Sequence, residues 1–251
     1  MRVSVIIPSY NAASFITQTV RSVQAQTYQD WELLIADDCS TDNSRDIIVN
    51  LGKSDSRICL IKCEKNAGPA SARNAALAQM TGRYIAFLDS DDIWLPEKLE
   101  KSIKTAQDQE ASLVCTGFRR FTVNNNGTQS IGRYMGVASH YSYSRLLGGN
   151  EIATSTVLID TQKTGSIKMQ PVYYDDFDCW LSILKRDLRI VGLNEDLMRY
   201  RVLPGSISRN KLRSAYHHWD SLRRLQRLSL LSASWYFTLY AIRGIRKYIK
   251  L

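Results

Sequence analysis

Three carboxylates, Asp89, Asp91 and Asp92, crowd the end of an apolar run, Tyr84-Ile85-Ala86-Phe87-Leu88. A run of this length, bounded by Gly82 and a charged turn, reads as a buried strand. In extended chain, residues i and i+2 share a face, so Asp89 and Asp91 would aim two carboxylates at one point beyond the strand's C-terminal edge. Like charges that close are unfavourable without a positive partner. A hard divalent cation supplies one, since Mg²⁺ is commonly held by one or two carboxylates plus substrate phosphates. The plainer alternative is an acidic loop before a helix starting near Pro96-Glu97-Lys98-Leu99, with Asp91 or Asp92 set against the helix dipole. The acidic triplet alone does not decide between them.

The segments that must position it are more telling. Arg2–Pro8 is a nearly continuous apolar strand followed by the turn Pro8-Ser9-Tyr10-Asn11. A helical pattern carries Phe15, Ile16, Val20 and Val23. A second strand, Trp31–Ala36, ends in Asp37-Asp38, and Cys39-Ser40-Thr41-Asp42 offers capping residues for a helix through Leu51. Ile58–Lys62 is a third strand. Asn66-Ala67-Gly68-Pro69 then opens an alanine-rich helix that bears Arg73 and Asn74 and closes at Gly82. Strands alternating with helices imply an α/β fold with a parallel sheet, in which ligands bind beyond the C-terminal strand ends. Pro8–Asn11, Asp37-Asp38, Asn66–Gly68 and Asp89–Asp91 all fall at such ends, as a site for a polar, phosphate-bearing ligand requires.

After residue 100 the pattern changes. Ser112–Val123 and Thr128–Tyr134 flank Asn124-Asn125-Asn126-Gly127 as a hairpin. Ala138–Leu147 reads as loop and short helix, and Thr154–Asp160 as a β-rich run. Tyr173–Trp180 leads a helix ending near Arg186, with Phe177, Trp180, Leu181 and Leu184 on its buried face. Arg189–Leu193 and Leu197–Val202 are two short strands, and from about Ser208 the pattern is helical.

The 251 residues suffice for one α/β domain with additions, or for two small domains. No secretion signal is legible at the N-terminus. Five cysteines without ligand spacing point to a reducing compartment and argue against structural zinc. His140, His217 and His218 also lack ligand spacing and read as surface residues. The net charge of +9 belongs wholly to the tail, where ten Lys/Arg face Asp220 alone between Arg209 and Leu251. A neutral body argues against a nucleic-acid binder.

Assembled, the motifs VSVIIPSYN (3–11), LLIADDCSTDNS (33–44), NAGPASARN (66–74), GRYIAFLDSDDIWLPEKLE (82–100) and YYDDFDCWLSILKR (173–186) resemble the inverting glycosyltransferase family 2, in family order and spacing over residues 2–208. A looser similarity is to bacterial enzymes that build O-antigen, capsule or teichuronic-type polysaccharides. The resemblance implies a GT-A fold: a Rossmann-like, mostly parallel sheet flanked by helices. Residues 1–208 would form the transferase domain, with a nucleotide-binding half (1–100) and an acceptor half (101–208), followed by a basic helical extension (209–251). It implies a UDP-sugar donor, Mn²⁺ or Mg²⁺, and a glycan or lipid-diphosphate-linked acceptor, on the cytoplasmic side of the membrane.

Carried over by position, the nucleotide sugar is met by Pro8, Ser9, Tyr10, Asn11, Asp38, Asn66, Gly68, Arg73, Asp89 and Ser90. Asp38 would take the uracil N3–H, or else serve as a turn residue. Asp37 is structural. Arg73 would meet pyrophosphate near a helix start, or lie on the surface. Asp89 and Asp91 correspond to the metal-binding acids, whereas Asp92 is an extra acid that only starts the next helix. Inversion in one displacement needs a base opposite the leaving group, and the matching acid is Asp176, with Asp175 and Asp178 as alternatives. Many relatives carry His where this chain has Leu203.

For the tail, two readings stay open: an aromatic, basic interfacial helix on anionic lipid, or a helix pair packed on the domain or on a dimer partner. Two competing functions are a sugar nucleotidyltransferase, which would need a glycine-rich loop absent from Pro8–Asn11, and a non-catalytic basic lipid-binding module.

Overall fold

The structure, a computed structural model, describes residues 1–124, 126–203 and 211–249. The boundary expected at 208/209, Asn125 of the hairpin turn, and Lys250-Leu251 lie outside the described residues. In chain order the first half comprises β1 (Val3–Ser9), α1 (Ile16–Gln24), β2 (Trp31–Asp37), α2 (Ser44–Ser54), β3 (Ile58–Lys62), α3 (Pro69–Leu77), β4 (Tyr84–Phe87), β5 (Ile93–Trp94) and α4 (Lys98–Asp108). The second half comprises β6 (Leu113–Val123), β7 (Gln129–Met135), β8 (His140–Tyr141), α5 (Tyr143–Leu147), β9 (Leu158–Asp160), α6 (Thr161–Thr164), α7 (Asp175–Lys185), β10 (Ile190–Arg201), α8 (Lys211–Asp220) and α9 (Leu230–Ile249). A 3₁₀ turn, Thr154–Thr156, precedes β9, and a π-helical turn, Ser221–Leu225, follows α8.

The sheet runs β3-β2-β1-β4-β9-β6-β10-β5, with β7 on β6 and β8 on β10. Strands β3, β2, β1 and β4 are parallel, as the alternating pattern implied. Beyond them β9 runs antiparallel to both neighbours, so the whole sheet is mixed. The two short strands expected at 189–202 are one strand, β10, irregular between Leu193 and Arg199 where its register on β6 shifts.

Alternation along the central strands divides the core into two layers. Ile6, Leu34, Ala36, Ile85 and Phe87 face α3, α7 and the tail. Val5, Ile7, Leu33, Ile35, Ala86 and Leu88 face α1, α2 and α4. On α3 the buried residues are Ala70, Ala72, Arg73 and Ala76, and the three alanines seat that helix close to the sheet. Gly82 does not close α3, which ends at Leu77. A Cβ at Gly82 would lie 2.7 Å from Arg2 O and Ser4 N, so the glycine serves the close approach of β4's lead-in to β1.

The chain winds outward from β1 through β2 to β3, then crosses back to β4 on β1's other side. This reversal opens a crevice beyond the C-terminal ends of β1 and β4, where α/β sheets place ligands.

Candidate active site

The loops after β1, β2 and β3 are knitted together at that crevice. Asn11 adopts a left-handed conformation (φ 49°) that turns its side chain toward the loop after β2. Its Oδ1 accepts from Thr41 N–H at 2.8 Å, and its own N–H donates to Ser40 Oγ at 2.9 Å. Pro8 and Ser9 are buried, whereas Tyr10 is 52% exposed and offers an aromatic face at the rim. Asp38 is buried: Oδ1 accepts from Ala67 N–H at 3.0 Å and Oδ2 from Gly68 N–H at 2.7 Å. Asn66 closes the same clasp by donating to Asp38 O. Asp38 therefore holds the 66–68 loop, and a uracil N3–H would be a second donor to one of its oxygens. Gly68, at φ 85°, takes a backbone conformation that favours glycine just before Pro69 begins α3. Asp37 is buried and structural, paired with Arg45.

Residues 89–92 form a turn instead of extending the strand: Asp92 N–H donates to Asp89 O at 3.1 Å. The carboxylates are thus gathered by a turn, not by strand alternation. Side chains from three other segments pin its backbone groups. Asp89 N–H donates to Ser155 Oγ at 3.0 Å, Thr19 Oγ1 reaches Ser90 O and Asp92 O at 2.9 Å each, and Arg201 Nε donates to Asp91 O at 2.7 Å. Asp92 does not start the next helix. It is buried, and its Oδ1 accepts from Arg201 N–H at 2.9 Å.

Arg73 lies one turn into α3 and is not a surface residue. It is 5% exposed, and its guanidinium bridges Asp89 Oδ1 at 2.6 Å and Asp175 Oδ2 at 2.7 Å. Burial disfavours its charge, but the two carboxylates more than offset this and hold it protonated. Asp175 is thereby committed to Arg73. Asp176, at the start of α7, accepts from Thr154 Oγ1 at 2.8 Å and Asn150 Nδ2 at 3.1 Å. Burial, then the charge of Asp175, push its carboxyl up to about 6, although the Thr154 bond acts the other way. Asp178 accepts from Gln226 Nε2 at 2.8 Å and so faces the tail.

The 3₁₀ turn at 154–156 joins the two acidic segments, with Thr154 on Asp176 and Ser155 on Asp89. Sequence reading assigned this turn to a strand and missed Asn150, Thr154, Ser155, Thr19 and Arg201. Its only signal was the small polar run Thr154-Ser155-Thr156 inside apolar surroundings.

Residues 4–169 match the family described as glycosyl transferase family 2. "Putative teichuronic acid biosynthesis glycosyltransferase TuaG" of Bacillus subtilis (strain 168) is 40% identical over 98% of this chain and 96% of its own length. The chain belongs to glycosyltransferase family 2. A second relative, the Escherichia coli UDP-Glc:alpha-D-GlcNAc-diphosphoundecaprenol beta-1,3-glucosyltransferase WfgD, is 38% identical over 98% of this chain and 94% of its own. Among solved structures, S. aureus TarS 1-349 in complex with UDP-GlcNAc superposes with a TM-score of 0.73 at 21% identity, covering 96% of this chain and 72% of that one. The fold of this family 2 member is thus GT-A.

The acidic turn fits a divalent cation chemically. Burial, then the charge of Asp89, push the Asp91 carboxyl up to about 6, and Asp92 Oδ2 is buried with no hydrogen-bond partner. Crowded hard oxygens of this kind are what Mg²⁺ or Mn²⁺ prefers. Among the described residues no group of three or more His, Cys, Asp or Glu is arranged to hold a metal.

The histidines divide. His140 is exposed, but His218 is buried, correcting the surface assignment: its ring stacks on Tyr240 at 4.2 Å and its Nε2 lies 3.2 Å from Leu147 O. The tail packs on the domain through His218 against Leu147 O and Phe177, Gln226 on Asp178 and Arg243 on Glu151, while Trp219 on Phe237 and His218 on Tyr240 join α8 to α9 within it. Among the described residues no helix is long and apolar enough to cross a membrane.

Proposed function

We propose that this family 2 glycosyltransferase moves a sugar from a UDP-sugar to a hydroxyl of a lipid-diphosphate-linked or related glycan acceptor, inverting the anomeric carbon. The observation that carries this is the division of labour among its acids. Asp89 and Asp91 stand at the sheet's switch point, while Asp176 stands across the Arg73–Asp175 bridge on a separate helix.

Asp176 receives the acceptor's hydroxyl proton as the new C–O bond forms at the anomeric carbon. The C–O bond to the β-phosphate breaks on the opposite face, and its electron pair leaves with UDP. Asp176 suits this work because Thr154 and Asn150 fix its orientation while burial raises its proton affinity. Asp89 and Asp91 would hold Mn²⁺ or Mg²⁺, which neutralises charge on the departing diphosphate. Tyr10, Asn11, Asp38 and the Asn66–Gly68 loop would form the nucleoside side of the crevice, with Pro8, Ser9 and Ser90 as further contacts to the nucleotide sugar. The names of the two full-length relatives, one from teichuronic acid synthesis and one using a diphosphoundecaprenol acceptor, favour surface polysaccharide assembly at the cytoplasmic face of the membrane.

A thermal-shift panel of UDP, GDP and their sugars, with and without Mn²⁺ or Mg²⁺, tests the donor side. Stabilisation by UDP ligands that grows with metal supports the reading. Equal response to GDP ligands, or pyrophosphate release from a nucleoside triphosphate, overturns it.

A further inference from the structure

Helix α9 has two faces. Ala233, Tyr236, Phe237 and Tyr240 turn inward: Ala233 is fully buried, Phe237 meets Trp219, and Tyr240 stacks on His218. On the opposite side Leu231, Trp235, Thr238 and Ile242 recur at spacings of four, three and four, one stripe of a helix. Leu231 is 85% and Trp235 63% exposed. Ordinary surfaces seldom leave so much contiguous apolar area in water without a partner. Just before this stripe the π-helical turn and its exit carry three exposed arginines, Arg223, Arg224 and Arg227.

We propose that this face of α9 and the adjoining arginines dock the protein on the surface of an anionic phospholipid bilayer. An indole and aliphatic side chains bordered by cations form the pattern that lies in a lipid interface, apolar face down and cations on headgroups. Charge decides against a second copy of the chain as occupant. Symmetric pairing would bring two tails together, each with ten basic residues and Asp220 alone to offset them. The position of α9 gives the docking a purpose. Its Arg243 donates to Glu151 Oε1 at 2.7 Å, and the neighbouring Asn150 holds Asp176. A diphosphate-borne acceptor rooted in the bilayer would reach the base from this side, a consequence that rests on the acceptor reading above.

The test is co-sedimentation of the full chain with vesicles of equal parts phosphatidylglycerol and phosphatidylcholine, against phosphatidylcholine alone, at low and high salt. Binding restricted to the anionic vesicles and weakened by salt is expected. Replacing Arg223, Arg224 and Arg227 by Glu should lower the partition coefficient by roughly two orders of magnitude or more. L231S/W235S should lower it at least about tenfold. Equal recovery in the supernatant with either vesicle overturns the proposal without using any variant. So does a salt-insensitive dimer in sedimentation velocity that W235S dissociates, because the face then belongs to a second copy. UDP binding measured without lipid separates failure here from failure of the donor assignment.

Discussion

Thr154 donates its hydroxyl to Asp176 at 2.8 Å, and the next residue, Ser155, accepts the N–H of Asp89 at 3.0 Å. One 3₁₀ turn thus sets the distance between the proposed proton acceptor and the proposed metal-binding segment. The first consequence concerns pH. The Asp176 carboxyl is pushed up to about 6, and only its ionised form takes a proton. Then kcat/KM should fall about tenfold per unit below pH ~6 and level off above it. In T154V the carboxylate loses a donor that favours its charged form, so the acid limb should move to higher pH by about one unit. The KM for the donor should stay unchanged. A pH–rate profile of the two proteins checks both statements, and an unmoved limb would remove Asp176 from its role.

Asp176→Asn keeps the shape and the capacity to accept from Thr154 but removes the base. Turnover should drop by about 10²–10⁴-fold while UDP-sugar affinity is retained. Calorimetric titration beside a coupled UDP-release assay separates the two effects. The same change at Asp178, which faces Gln226 in the tail, should leave turnover within a few-fold of wild type.

Arg73 ties Asp89 to Asp175 from a position almost closed to solvent. R73M keeps the bulk and leaves both acids without their cation. Breaking a buried pair from one side costs about 3–5 kcal/mol, and Asp89's partial exposure points to the lower figure, about 3 kcal/mol. Urea denaturation measures that loss. R73K should recover part of the stability but little activity, because one ammonium cannot reproduce a planar fork spanning two carboxylates.

The parallel half of the fold was legible because its strands are apolar throughout and its turns carry Pro, Asn, Asp and Gly at the right places. The grouping of Pro8–Asn11, Asp38, Asn66–Gly68 and Asp89–Asp91 at strand ends follows from that alternation alone. What escaped sequence reading depends on tertiary partners. Nothing local in Arg73 says that it is buried, since its charge is matched by acids 16 and 102 residues away. Thr154 reads as a β-branched strand residue, and its hydroxyl acquires a role only when α7 brings Asp176 to it. The antiparallel insertion of β9 was equally invisible, because a three-residue strand has too short a pattern to declare its direction.

Gly82 was assigned to a helix end by its proximity to α3, and its role lies in packing against β1. G82A would place a Cβ 2.7 Å from Ser4 N, Ser4 Oγ and Arg2 O, two of them backbone atoms that cannot rotate aside. The strand must shift, at a cost of about 1–3 kcal/mol. A lowered denaturation midpoint with an unchanged slope checks this, and a wild-type midpoint would refute the contact.

His218 couples the tail's attachment to pH. Its ring lies between Phe177 and Tyr240 and its Nε2–H faces Leu147 O, a bond that both the neutral and the charged ring can make, so it is burial that favours the neutral form. Burial pushes its pKa down to about 4, against about 6.5 in an unfolded chain. Between those values the unfolded chain binds the extra proton, so stability rises with pH across that window and is flat above it. The contribution is complete above pH ~6.5 and is lost as pH falls toward ~4, amounting to about 3 kcal/mol over the range. H218F keeps the stacking on Tyr240 but cannot titrate. Its stability should be somewhat lower than wild type at pH 7, through loss of the bond to Leu147, and should decline less steeply between pH 6.5 and 4. Parallel slopes for the two proteins would mean that the histidine is protonated where it stands and that the tail's seat does not depend on its neutrality.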